Sequence, residues 1–375
     1  AWAMGPARLR ALAGGEGMLV VEGAMGLFDG APPDGAGSAA ELARLLGLPV
    51  VLVVDSARMA QSVGPLVAGF ARADPAVRVA GVVLNRVGSA RHHATLVRAV
   101  EREGLPVLGA LPRSGDLAHP SRHLGLVQAG ERPDLDAFLE RAADLVERHC
   151  DLGVLVALAQ GEPLSPCPGP RVPPPARRIA IARDAAFAFA YPHLLADWRA
   201  GGAEVATFSP LADEAVPEAD LVYLPGGYPE LHAGRLAAAS RFLSSLRAAA
   251  ARGAVWGECG GYMVLGEALT DAKGAVHRMA GLLPVETSFA ARRLHLGYRV
   301  VEAETGPFPG RWAAHEFHYA TVLREEGEPL FRAWDAEGVR LAPMGLRRGR
   351  VAGSFAHLIG PTDGQSPAGG IALAT

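Results

Sequence analysis

The sequence predicts an α/β protein built from two doubly wound domains. Three observations carry this prediction. The chain has 375 residues, more than one hydrophobic core usually organises. Short continuous apolar runs alternate with helix-like stretches in both halves, the pattern of parallel sheets covered on both faces. A proline-rich stretch divides the two halves and suits a stiff, extended connector. The expected division is residues 1–162, a connector at 163–176, and residues 177–375.

In the first half, strands are predicted at Met18–Val21, Pro49–Val54, Val79–Leu84 and Pro106–Leu111. Helices are predicted at Ala39–Leu46, Ala90–Glu103 and Leu135–His149. Ligands of such sheets lie at the carboxyl ends of the strands. Glu22, Asp55 and Asn85 each follow an apolar run and are placed at such ends. The connector carries Pro163, Pro166, Pro168, Pro170, Pro173, Pro174 and Pro175, with Cys167 inside it. The second half restarts with strands at Arg178–Ala182, Val205–Phe208 and Leu221–Leu224, and a helix at Tyr191–Arg199. One long helix is predicted over Ala233–Arg252, leading into the short strand Ala254–Trp256. Beyond Met279 the segments shorten and alternate, as in Leu294–Glu302.

The net charge of −3, with 36 Lys and Arg scattered along the chain, gives no footprint for nucleic acid or an anionic membrane. No apolar run reaches the roughly 18 residues of a membrane span. The three cysteines, Cys150, Cys167 and Cys259, have no C-x-x-C pairing, which argues against a disulfide framework or zinc ribbon and fits a reducing cytoplasm.

Cys259 stands apart from the other two. It sits in Gly257-Glu258-Cys259-Gly260-Gly261, directly after an apolar strand. Small residues around a nucleophile, between strand and helix, permit the strained turn of a nucleophile elbow. A helix beginning just past it is expected to lower the thiol pKa. Pro225-Gly226-Gly227-Tyr228-Pro229 follows the preceding strand. Its backbone N–H groups, with that of Gly260, suit an oxyanion hole. The base for the thiol is sought among His277, His295, His315, His318 and His357. His357 follows Gly353-Ser354-Phe355-Ala356 at another expected strand end. His315-Glu316-Phe317-His318 lacks the H-E-x-x-H spacing of a zinc helix and reads as a structural or substrate-facing strand.

The run Val21-Glu22-Gly23-Ala24-Met25-Gly26-Leu27-Phe28-Asp29-Gly30, the Pro-Gly-Gly-Tyr-Pro turn, the cysteine elbow and Gly353-Ser354 before His357 resemble the cobyrinate (or hydrogenobyrinate) a,c-diamide synthase family. Ala180–Phe189, Leu296–Arg299 and His315–Tyr319 resemble it too, in the same order along the chain. The resemblance implies a C-terminal class I glutamine amidotransferase domain. In it Cys259 would attack the amide of L-glutamine, His357 would be the base, and Gly227 with Gly260 would hold the oxyanion. The usual class I carboxylate two residues beyond the histidine is replaced by Ile359, as in the corrinoid subgroup. The resemblance further implies an N-terminal dethiobiotin-synthetase-like P-loop domain. With ATP and Mg²⁺ it would convert a corrinoid carboxylate into an acyl phosphate, which ammonia then displaces. Glu22 would be the Mg²⁺ ligand, Asp29 would help position metal or substrate, and Asn85 would read adenine.

The family's phosphate loop, G-x-x-x-x-G-K-[ST], does not occur in these residues. The chain is expected to lack the start of that domain, about 30 residues or more of strand, loop and helix, and to bind ATP poorly alone. Arg292, Arg293 and Arg299, near His295, form a basic stripe able to pair with a polycarboxylate macrocycle. A corrinoid substrate and a homodimer are the expected partnerships, with neither nucleic acid nor membrane. The related cobyric acid synthases are the nearest alternative; their corresponding loop resembles EGAGSP-x-E rather than the EGAMGLFDG found here. A truncated glutaminase or binding remnant is the other.

Overall fold

A computed structural model describes residues 2–115, 117–122, 125–161, 164 and 168–362. The chain forms two compact units. The first contains Leu9–Gly30 and Gly35–Gly169; the second contains Trp2–Arg8, Ala31–Asp34 and the chain from Pro170 onward. Pro163, Pro166 and Cys167 lie outside the described residues. Val172, near the far end of the expected connector, is buried, and its N–H donates to the Asp197 carboxylate at 3.0 Å. That stretch therefore packs as part of the second unit.

In the first unit Val50–Asp55, Val79–Val87 and Val107–Pro112 form a parallel sheet in that order. Helices Val63–Ala73 and Ala90–Glu101 bury Val63, Val67, Leu96 and Val100 against Val82 and Leu84. The helix Ala39–Leu46 has clear local causes. The Ser38 hydroxyl accepts the Glu41 N–H at its start, and Gly47 ends it with a φ of 66°. Two expectations fail here. Met18–Val21 is not a strand, and all four side chains are exposed. The run is only four residues long, is flanked by Gly17 and Gly23, and finds no ladder partner. Asn85 is not at a strand end either, because its strand continues to Val87 through Arg86 at a φ of 61°.

The second unit is built on a ten-stranded sheet. Its parallel part runs Val351–Ser354, Ala254–Glu258, Leu221–Leu224, Arg178–Ala182, Glu204–Phe208. Val351–Ser354 then pairs antiparallel with Met344–Arg348, through which Glu328–Asp335, His295–Ala303, Gly310–His318 and Ala356–Pro361 follow. Alternate residues feed two cores. Ala180, Ala182, Val222, Leu224 and Val255 enter one, while Ile179, Ile181, Leu221, Tyr223 and Trp256 enter the other. Burial on both faces is why these strands read as unbroken apolar runs. The long helix expected over Ala233–Arg252 is two, Ala233–Ala238 and Ser240–Arg252, parted at Ala239 with ψ 75°. The carboxylate of Asp213 accepts the Phe242 N–H at 2.8 Å and caps the second helix from outside the local sequence. No described helix is long and apolar enough to cross a membrane.

Candidate active site

Cys259 lies where the strand Ala254–Glu258 passes into the short helix Gly260–Leu265. Its φ is 47° and its ψ −103°, a conformation that costs a residue with a Cβ about 1–3 kcal/mol. The neighbouring strands impose it. The Cys259 N–H donates to the Ser354 carbonyl at 2.8 Å, and Leu221–Leu224 pairs with the cysteine strand on the other side. The turns that follow Leu224, Glu258 and Ser354 therefore leave three adjacent parallel strands at the same end of the sheet.

The Pro-Gly-Gly turn closes onto the elbow. A Cβ on Gly227 would stand 2.1 Å from the Ala186 carbonyl oxygen. A Cβ on Gly260 would stand 3.1 Å from the Gly227 nitrogen and 2.8 Å from Pro229 Cδ. Glycine at both positions lets the Gly227 N–H come beside the first residue of the helix. The loop below Gly227 is fixed by Asp184, whose carboxylate accepts from the Ala186 N–H, the Ser209 hydroxyl and the Leu211 N–H.

His357, on the strand Ala356–Pro361, joins the same place. A Cβ on Gly226 would stand 2.6 Å from His357 Cε1 and 3.5 Å from Cys259 Cβ. Cys259, His357 and the glycine turn thus lie together in the buried interior. The other histidines are engaged differently. His277 pairs with Asp271 at 2.9 Å, and the rings of His295 and His318 stack at 4.5 Å. His315 stacks on His357 itself, with ring centroids 4.9 Å apart and planes 7° from parallel. Ile359 carries no acid, and its carbonyl is contacted by His193 Nε2 at 2.9 Å. His357 Nδ1 is buried and has no hydrogen-bond partner among the described residues.

The electrostatics correct one expectation. The Cys259 thiol is not acidified; burial pushes its pKa well up, and the Glu230 charge adds to this. The Gly260 N–H acts in the opposite sense but is outweighed. Burial likewise holds the His357 imidazole well below its usual pKa, with His315 and His318 contributing in the same direction. The resting pair is a neutral thiol beside a neutral imidazole. Burial raises the Glu258 carboxyl to about 7 although Tyr223, Trp256 and the Leu358 N–H all donate to it.

Residues 178–363 match the family model described as a CobB/CobQ-like glutamine amidotransferase domain, and residues 6–121 match an AAA domain model. A hydrogenobyrinate a,c-diamide synthase of Brucella anthropi is 56% identical over 96% of this chain and 84% of its own length. The chain belongs to this family. Its members of the same name from Rhodobacter capsulatus and Rhizobium meliloti are 53% and 54% identical, each over 96% of this chain and 85% of their own. Among solved structures, a glutamine amidotransferase is 19% identical over 42% of this chain and 80% of its own, with a TM-score of 0.31. Family membership makes the protein an amidotransferase enzyme with two α/β domains, the first of the nucleotide-binding AAA type.

The remaining residues singled out in the sequence lie as follows. Glu22 is exposed in an irregular segment and belongs to no group of three or more potential ligands among the described residues. Asp29 is exposed and accepts the Gly26 N–H at 3.0 Å, which shapes its own loop. Asn85 is half-buried; its side chain accepts the Arg86 N–H and its carbonyl the Ser56 hydroxyl. The basic stripe is not continuous. Arg292 and Arg293 are exposed in a loop, whereas Arg299 lies on a strand and forks onto Glu316 at 3.0 and 2.9 Å. His295, Glu316 and His318 bring ligand atoms within 4.8 Å of one another. Glu316 is already committed there, with one oxygen to Arg299 and the other to His318 at 3.0 Å. The two stacked imidazoles lie 5° from parallel, so their lone pairs do not converge on one ion.

Sequence reasoning assigned no role to Glu258, Glu230 or Tyr191. A glutamate at the end of an otherwise apolar parallel strand was the available signal for Glu258. Tyr191 carried none, since only the fold brings its ring 6.2 Å from that of His357.

Proposed function

We propose that this enzyme hydrolyses L-glutamine at Cys259 and uses the ammonia to amidate the a and c acetate carboxylates of hydrogenobyrinate or cobyrinate in cobalamin biosynthesis. The reaction would be driven by ATP with Mg²⁺. One observation carries the glutamine half: the strained cysteine, the glycine turn with Gly227 and the His357 ring lie next to one another. Cys259 Sγ attacks the amide carbon, and its proton passes to His357. The oxyanion forms between the Gly227 and Gly260 N–H groups. His357 then protonates the departing ammonia. Finally it takes a proton from the water that cleaves the thioester, which releases glutamate and restores the thiol.

In the other half, ATP supplies the phosphoryl group that activates the carboxylate. Glu22 suits Mg²⁺, which takes one or two carboxylates and completes its shell with water and phosphate oxygens. Asn85 would face the adenine, and Asp29 would hold the loop beside Glu22. Arg292 and Arg293 remain free to meet corrinoid carboxylates, which the pairing with Glu316 denies to Arg299.

The test is glutamate release together with transfer of amide ¹⁵N from glutamine to the corrinoid, read by mass spectrometry. Cys259→Ala is expected to lower glutamine hydrolysis by about 10³-fold or more. Hydrolysis that survives this substitution would sink the reading.

A further inference from the structure

We propose that His315 is the positioning residue for His357, holding by ring stacking the ring orientation that a carboxylate holds in the usual cysteine–histidine triad. The inference rests on the glutaminase reading above and deepens it. A catalytic imidazole must be held in one orientation so that one ring nitrogen keeps facing the thiol. His357 has no carboxylate to do this. Ile359 occupies the place of the acid, and Nδ1 of His357 finds no partner among the described residues. What His357 does have is a flat ring lying against its own. His315 sits directly opposite it across the antiparallel pair Gly310–His318 and Ala356–Pro361. The two imidazoles are stacked at 4.9 Å, 7° from parallel.

The stack is closed from the side. Tyr191 packs edge-on to both rings at 6.2 Å, and its hydroxyl lies 3.4 Å from His315 Nε2. The backbone on either side of His357 is also tied down. Leu358 N–H donates to Glu258 at 3.3 Å, and Ala356 N–H donates to the Ser354 hydroxyl at 3.1 Å. With the backbone fixed, the freedom left to His357 is rotation of its ring, and that is the motion the His315 face blocks. His315 suits this task because burial keeps it neutral, with a pKa near 4. Were His315 charged it would oppose the imidazolium that forms on His357 during turnover, the sense in which it lowers the His357 pKa.

Steady-state glutaminase kinetics of the full chain test this, with His315→Ala, His315→Phe and Tyr191→Phe compared beside Cys259→Ala. His315→Ala frees the ring and is expected to lower kcat about 10–100-fold, while KM for glutamine stays within about threefold. His315→Phe keeps a flat ring in the stack and is expected to recover most of that loss. Tyr191→Phe keeps the edge contact but removes the hydroxyl beside His315 Nε2, and is expected to lower kcat less than His315→Ala does. Melting temperatures of all variants are measured alongside. A His315→Ala enzyme with an unchanged kcat overturns the proposal. So does a His315→Phe enzyme as slow as His315→Ala, because shape would then not be what His315 supplies. If Cys259→Ala itself keeps full activity, it is the glutaminase reading that fails, a different result from either of these.

Discussion

His357 and His315 are held neutral inside the protein by burial, and this makes the active site a source of acid sensitivity. Their ordinary pKa is 6.5; in the fold His315 lies at about 4 and His357 well below its usual value. Below about pH 6.5 the unfolded chain takes up protons at both that the native state refuses. Stability therefore falls on acidification by up to about 1.4 kcal/mol per pH unit for each. Glu258 works in the opposite direction. Its carboxyl is raised from 4.5 to about 7, so its contribution is complete below the lower value and is lost as pH rises through the higher one. The two histidines outweigh the one carboxylate, and His193 and His295, whose pKa values burial also lowers, act in the same sense, so the net effect of these groups is a loss of stability on acidification below pH 6.5. The melting temperature is expected to drop as pH falls below 6.5, and His315→Phe, which removes one of the contributing histidines, is expected to make that drop shallower. A melting temperature that climbs as the parent protein is acidified would refute this. Both proposed reacting side chains could be singled out in the sequence, since glycines frame Cys259 and small residues precede His357. Their charge states were not legible. The expected acidic thiol followed from a helix end alone, whereas burial and Glu230, 29 positions away in the chain, decide the outcome.

At the scale of elements, the pocket depends on turns that fit only without side chains. Gly227→Ala would force a Cβ to within 2.1 Å of the Ala186 carbonyl, a backbone atom that cannot swing aside. The turn would have to move, and its N–H with it. A stability loss of about 1–3 kcal/mol and a fall in glutaminase kcat of about 10²-fold or more are expected. Gly69→Ala is the control. It lies in the helix Val63–Ala73 with open space where the Cβ would go, so it should stabilise by up to about 1 kcal/mol. Urea melts with initial rates check both. Equal activity of Gly227→Ala and parent would remove Gly227 from the oxyanion site. The strands of the second unit were readable because both faces are buried, which leaves apolar runs such as Leu221–Leu224 unbroken. The break at Ala239 was not readable, because the cap that starts the next helix is Asp213, on a distant loop. Met18–Val21 misled for the converse reason: an apolar run is a strand only where a neighbour pairs with it.

For the whole molecule, the two proposed chemistries fall in different compact units, each with its own hydrophobic core. Cys259, His357, Gly227 and Gly260 belong to the second unit; Glu22, Asp29 and Asn85 belong to the first. The proline-rich middle and the two successive sets of apolar runs are what suggested two domains from the sequence. It could not place the chain's first residues, and Trp2–Arg8 packs with the second unit, where Arg8 meets the buried Asp197 at 2.7 Å. Separate cores predict separable defects. Glu22→Gln changes an exposed side chain in the first unit, so glutamine hydrolysis should stay within about twofold of the parent. Whatever corrinoid amidation the parent shows with ATP, Mg²⁺ and either glutamine or an ammonium salt should be lost in Glu22→Gln with both nitrogen sources. Cys259→Ala should show the reverse pattern, with glutamine-driven amidation abolished and the reaction with ammonium retained. The pair of variants divides the reaction at the point where ammonia passes from one half to the other. If Glu22→Gln removed hydrolysis as completely as amidation, or if ammonium failed to replace glutamine in Cys259→Ala, the two halves would not be independent and the assignment of residues to them would have to be withdrawn.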